Sequence, residues 1–203
     1  AKRAGNEILY QMQAAQNIAT LNGYEIKRII TGCPHCFNVL KNEYPELGGN
    51  YEVLHHTQFI RELIETGKLR MADGAPFRGK RITFHDPCYL GRGNGEYLAP
   101  REVIQKLDAE LLEMRRCKQN AMCCGAGGAQ MFKEAENGNA VVNHERTNEA
   151  LENKPEVIAT GCPFCNTMIT DGVKNANQES EVEVKDIAEL IAEAADLLDP
   201  SAS

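Results

Sequence analysis

No apolar run in this sequence approaches the roughly 20 residues that a membrane-spanning helix needs. No secretory leader opens it. No basic stripe is present either: Lys and Arg number 22 against 29 Asp and Glu, for a formal net charge of −7. That balance argues against nucleic acid or an anionic membrane as the main partner. The expected location is cytoplasmic, with membrane association arising through missing parts or other subunits. The first residue is Ala1 rather than Met, so the chain reads as a fragment of a longer one.

What the sequence does have is cysteine, eight in 203 residues. In an acidic chain without a leader this is not a secreted disulfide framework. The cysteines sit in Gly-rich loops, and such groups in a reducing compartment point to metal binding or catalysis. Seven of them form a pattern: Cys88, then Cys123-Cys124, then Cys162-Pro163-Phe164-Cys165, with Cys33-Pro34-His35-Cys36 repeating the last element. Thirty-four residues separate Cys88 from Cys123, and thirty-seven separate Cys124 from Cys162. Adjacent cysteines cannot both point at one tetrahedral ion without strain, but they suit a cluster with several irons.

A hydrophobic content of 42% supplies a core for one large domain or two small ones. The chain also repeats itself. Glu25-Ile-Lys-Arg-Ile-Ile-Thr-Gly-Cys33-Pro-His-Cys36 matches Pro155-Glu-Val-Ile-Ala-Thr-Gly-Cys162-Pro-Phe-Cys165 at an offset of 129 residues, from 33 to 162. This is too long for a solenoid and predicts two copies of one domain. The first copy covers 1–72 and is truncated at its start; the second is complete over 80–203. By the spacing of the second copy, a longer parent chain carries a Cys-Cys-Gly a few residues upstream of Ala1.

The pattern predicts helices over 5–21, 35–44 and 57–67, strands at 25–31 and 51–55, and a linker over 68–79 that contains Gly74. In the second copy strands are expected at 81–85, 110–114, 156–160 and 182–185. Helices are expected from Pro100 to about Leu107 with Pro100 in the first position, over 129–135, 139–152 and 163–173, and from a capping box at Asp186 and Glu189 towards Leu198. Strand–loop–helix alternation implies an α/β fold, two related repeats with parallel sheets. Each cysteine group follows a strand, which gathers Cys88, Cys123, Cys124, Cys162 and Cys165 at one sheet rim. Thiolates there hold an iron–sulfur cluster or zinc, and five exceed the four that zinc or an ordinary cubane takes. The glycines after Cys124 offer backbone N–H groups to negative charge.

At these residues the sequence resembles a known family. Cys88…Cys123-Cys124-Gly125…Cys162-Pro-Phe-Cys165 is similar to the cysteine-rich CCG domain of heterodisulfide reductase catalytic subunits. Similar domains occur in a subunit of anaerobic glycerol-3-phosphate dehydrogenases, in lactate-utilisation proteins and in membrane-associated iron–sulfur oxidoreductases of bacteria. His85-Asp-Pro-Cys-Tyr-Leu-Gly-Arg, Cys-Cys-Gly-Ala-Gly-Gly and Asn143-His-Glu-Arg resemble the last group most. The resemblance implies an iron–sulfur oxidoreductase with a [4Fe-4S] cluster of the noncubane kind, zinc being the alternative. It makes Cys88, Cys123, Cys124, Cys162 and Cys165 the ligands and leaves Cys33 and Cys36 as an incomplete first site. It implies a redox protein partner, an electron-transfer flavoprotein or a quinone-linked subunit, and a disulfide-like substrate.

Other residues read more plainly. Cys117 has no counterpart in the pattern and reads as an ordinary cysteine. His85-Asp86 reads as a structural hydrogen-bonding pair, with proton donation as the functional alternative. His56 and Thr57 read as turn and cap residues. Tyr89 and Arg92 read either as lining of a substrate cleft or as surface. Asn143-His144-Glu145-Arg146 reads as a helix start with a salt bridge.

Overall fold

Strands and helices alternate along the chain and build two parallel sheets, one of two strands and one of four. The computed structural model describes residues 2–72, 76–134 and 138–197. Gly74 of the expected linker, residue 135 of the expected 129–135 helix, and Leu198 lie outside the described residues.

The first segment opens with α1 (Glu7–Gly23), whose N-cap Asn6 accepts the Leu9 N–H at 3.0 Å. Strand β1 (Arg28–Thr31) follows, then α2 (Pro34–Asn38), with Pro34 in the first turn where no N–H is needed. The helix expected over 35–44 keeps α geometry only to Asn38. It widens into a π turn over Val39–Glu43 and tightens into a 3₁₀ turn over Tyr44–Leu47, because Pro45 has no N–H to continue the ladder. Strand β2 (Glu52–His55) leads directly into α3 (His56–Glu65). The cap is His55 rather than Thr57: its N–H donates to Gln58 Oε1 at 3.0 Å in a capping box.

The second segment comprises β3 (Arg81–Phe84), α4 (Gly91–Asn94), α5 (Leu98–Gln105), β4 (Glu110–Leu112), α6 (Val142–Glu152), β5 (Val157–Thr160), α7 (Pro163–Asn175), β6 (Glu183–Asp186) and α8 (Ile187–Ala194). Pro100 is the third residue of α5 rather than the first, still inside the turn that lacks internal N–H bonds. The expected 129–135 helix does not form over its described part. Gly127–Phe132 makes 3₁₀ turns instead, with Gly128 and Ala129 left-handed at φ +67° and +64°, which an α-helix cannot contain. Asp186 and Glu189 form the expected capping box on α8.

The larger sheet runs β4-β3-β5-β6, all parallel. The chain leaves β3 to one side for β4 and returns to the other side for β5. The crevice between the carboxyl ends of β3 and β5 is therefore the topological switch point, where open α/β sheets place ligands. β5 is buried along its whole length, as a central parallel strand should be. Ile82, Phe84, Val157 and Ala159 face one core with α5 and α8; Ile158 faces the other with Ile169 and Val173 of α7. Gly172 permits close approach of α7 to α6, since a Cβ there would lie 2.0 Å from Thr147 Oγ1. Ile60 of α3 also lies in the first of these cores, so a helix of the first segment helps to close the second.

The two strand pairs share one register. Arg28 opposes Glu52 and Thr31 opposes His55 in β1–β2, as Val157 opposes Glu183 and Thr160 opposes Asp186 in β5–β6. Ala159, the counterpart of Ile30, is fully buried, whereas Ile30 is 44% exposed. Among the described residues no helix is long and apolar enough to cross a membrane.

Candidate metal centre

Three chain segments converge at the β3/β5 crevice. β3 runs into His85, whose N–H donates to Ala159 O at 3.0 Å and extends the strand pairing before Cys88. β5 runs into Gly161 and Cys162, and Pro163 turns the chain into α7, so Cys162 caps the helix and Cys165 lies in its first turn. The third segment, carrying Cys123 and Cys124, is tied down by charge. Asp86 accepts two bonds from Arg101, at 2.8 and 2.9 Å, and one from the Lys118 N–H at 2.7 Å. Arg101 also grips Glu113 at 2.6 and 2.9 Å. Arg92 Nη1 donates to the Ala121 carbonyl, two residues before Cys123. Asp86 thus has the structural role read from the sequence, and Arg92 braces the cysteine loop.

Cys124, Cys162 and Cys165 form one buried group, with Cys123, Phe164 and Met168 packed against it. Cys88 lies beside Cys123, Cys123 beside Cys124, Cys124 beside Cys165 and Cys165 beside Cys162, each close enough to shift the other's acidity. The structure therefore brings the five expected cysteines together. Cys117 stands apart, beside Glu113. Cys33 and Cys36 are not isolated from the larger group. His35 Nδ1 lies 3.7 Å from Cys33 Sγ, and His35 is also near enough to Cys162, as Cys36 is to Cys33, to shift its acidity. The His35 ring lies 4.6 Å from Tyr89 and 5.3 Å from Phe164.

The sulfurs share protons unequally. Hydrogen bonds from Cys165, and further ones from His35 and backbone N–H groups, pull the Cys162 thiol down to about 5 against burial. Cys123 is lowered by bonds from Cys124 and Cys88 and by the N–H groups of Gly125 and Gly127. His35 is raised to about 9 by its bonds to Cys162 and Cys33. The Gly125 N–H lies 3.3 Å from Cys123 Sγ, and Gly125 holds φ +94°, a conformation suited to glycine. This is the anion-accepting loop anticipated from the glycines.

His85 is buried against the same group: a ring nitrogen lies within 4.8 Å of the Cys124 and Cys165 sulfurs. Its Nδ1 accepts from Arg146 Nε at 3.0 Å. Burial, then the Arg146 charge, push its pKa down to about 3. Arg146 is itself fully buried, donating to Arg116 O at 2.9 Å and pairing with Glu149 at 3.3 Å. The sequence reading gave Arg146 only a salt bridge at a helix start, which it makes with Glu149, and gave neither it nor His35 a place at the cysteine group. Asn143, Arg146, Thr147 and Glu149 place polar side chains on one buried face of α6, a face that the sequence pattern assigns to solvent. His56, read as a turn residue, instead pairs with Asp186 at 2.8 Å. A cleft of 760 Å³ between the segments is lined by Thr31, Cys33, His56, Asn166, Thr167 and Asp186 among others.

The donor set fits an iron–sulfur group: five soft sulfurs, largely buried, with backbone N–H groups aimed at them. Comparison with known proteins agrees. The family model described as "Cysteine-rich domain" (CCG) matches residues 1–41 and 82–170. The chain is 44% identical to the EtfAB:quinone oxidoreductase of Syntrophomonas wolfei, over 96% of this chain and 28% of that protein. It is 45% identical to the probable iron-sulfur-binding oxidoreductase FadF of Bacillus subtilis, over 95% of this chain and 27% of that one. It is 37% identical to a subunit of the dihydromethanophenazine:CoB–CoM heterodisulfide reductase of Methanosarcina barkeri, over 89% of this chain and 44% of that subunit. The chain spans less than half the length of each of these relatives.

Proposed function

The chain belongs to the cysteine-rich CCG domain family, and we propose that it is the electron-transferring module of a heterodisulfide-reductase-like iron–sulfur oxidoreductase. One observation carries this reading: five thiols from three separate chain segments meet at the switch point of a parallel sheet. Cys88, Cys123, Cys124, Cys162 and Cys165 hold one [4Fe-4S] cluster of the noncubane kind. Zinc, the alternative, takes four ligands and leaves one of these thiols without a task. When bound, such a cluster supplies one-electron transfer.

The chain's own residues bind the group as thiolates, exclude water from it and place dipoles around it. The N–H groups of Gly125 and Gly127 favour negative charge on Cys123. His35 sets a positive charge between Cys33 and Cys162, with Tyr89 and Phe164 fixing its ring. Residues 1–72 and 80–203 are two CCG repeats, a reading supported by their common strand register. Electrons enter or leave at the cleft between them, where Cys33, His56 and Asp186 are gathered. By likeness to the relatives' names, the partner is an electron-transfer flavoprotein or a quinone-linked subunit, and a disulfide is the substrate class of the heterodisulfide reductase relatives.

Anaerobic purification with iron, sulfide and zinc analysis tests the reading. Brown protein absorbing broadly near ~400 nm, with iron and sulfide in equal amounts, is expected. Colourless protein holding zinc at one ion per chain overturns it.

A further inference from the structure

His85 stands beside Cys124 and Cys165 as a third potential metal donor, all three buried. Its bond to Arg146 decides what it can do there. Guanidinium has N–H donors and no acceptor, and it stays protonated in proteins. Nδ1 accepts from Arg146 Nε at 3.0 Å, so Nδ1 carries no hydrogen. In neutral imidazole the hydrogen must then be on Nε2. A metal-bound histidine has the opposite requirement: the ring nitrogen away from the metal donates its N–H to an acceptor. Binding iron through Nε2 with Nδ1 held by Arg146 would demand an imidazolate. Arg146 is fixed in turn by Arg116 O and Glu149, and no part of its side chain reaches solvent.

We propose that His85 is a hydrogen-bond donor to sulfur at the Cys124–Cys165 side of the cluster, not a ligand, and that Arg146 is the positioning residue that fixes its tautomer. On this proposal the Nε2–H is directed at sulfur whose negative charge grows when the cluster takes an electron, a ring nitrogen lying within 4.8 Å of the Cys124 and Cys165 sulfurs. Hydrogen bonds to sulfur are one of the levers that set cluster potentials, and this one favours the reduced state. The inference rests on the cluster reading above for its redox consequence. The tautomer itself follows from Arg146 alone.

The test uses the 203-residue chain, before and after loading with iron and sulfide. Nitrogen-15 NMR of the chain before loading should show His85 protonated at Nε2 and unprotonated at Nδ1. A hydrogen on Nδ1 overturns the proposal. After loading, nitrogen hyperfine spectroscopy of the paramagnetic cluster should show only the weak coupling of a hydrogen-bonded ring. A strongly coupled, directly bound nitrogen overturns it. At equal iron content, His85→Leu should have a lower midpoint potential than wild type, and His85→Asn, which keeps an N–H, should recover part of the shift. An unchanged potential in His85→Leu also overturns it. If His85→Leu cannot hold iron, the wild-type nitrogen spectra and the His85→Asn potential decide. Failure of the wild-type chain to take up iron sinks the cluster reading and leaves the tautomer measurement standing.

Discussion

His55 donates from Nε2 to the carbonyl oxygen of Gly161 at 3.0 Å, joining the end of β2 to the residue before Cys162. Its Nδ1 lies 2.8 Å from the Thr57 hydroxyl, which donates to it. Both bonds suit a neutral ring, and burial, then the neighbouring His56, push the His55 pKa from 6.5 down to about 3. The unfolded chain therefore binds a proton that the folded chain refuses. This contribution to stability is complete above the unfolded value of 6.5 and is lost as the pH falls from there towards 3. At 1.36 kcal/mol per unit the loss is on the order of 5 kcal/mol. Urea unfolding of the chain between about pH 7 and 4 should show it, and His55→Gln, which cannot titrate, should have a shallower pH slope. Identical slopes would remove His55 from the account.

Cys124 and Cys117 should separate ligand from bystander. Cys124 lies between Cys123 and Cys165 in the thiol group, whereas Cys117 sits beside Glu113. Cys124→Ser should lose most of its iron, since thiolate ligation stabilises the folded site as well as the metal. Cys117→Ser should keep all of it. Equal iron loss in both variants means the ligand set is wrongly drawn.

Iron should load to one cluster per chain, about four atoms, not two clusters. Cys33 and Cys36 have His35 and each other, and the nearest further thiol, Cys162, belongs to the larger group. Metal analysis giving about eight irons would mean that the first set completes a cluster of its own.

Gly125→Ala should weaken the site without touching a thiol. A side chain there must sit at φ +94° with its Cβ 3.2 Å from Asn143 N, so the loop carrying Cys123 and Cys124 shifts. Strain of about 1–3 kcal/mol is expected. The measurable result is a lower melting temperature and reduced iron occupancy, while Gly127→Ala, which meets nothing within 4 Å, should be milder.

Much of this was legible in the sequence because parallel strands end where the cysteines begin. The run Arg81–Phe84 before Cys88 and the run Val157–Thr160 before Cys162 set both the sheet and its rim, and the Thr-Gly-Cys-Pro repeat carried the shared register. Local punctuation failed where the backbone left the common helices. Pro45 broke the helix after Asn38, and Ala129 took a left-handed turn that composition does not reveal. The contacts of His35 and Arg146 were illegible for another reason. Each meets its partner across a long stretch of chain, 61 positions for Arg146 and His85, and no local period encodes such a meeting.

The placement of Ile60 has a kinetic consequence. Its side chain sits among Val103, Ile104, Leu190 and Ile191, while Leu90 packs the other way, against Phe37 and Val53. Each segment thus wedges a side chain into the other, and neither can swing on the connection between them without opening an apolar core. The separation of Cys33 from Cys162 is thereby fixed at folding. On the proposed reading, any gating of electron flow then falls to the encounter with a partner rather than to a hinge between the two segments.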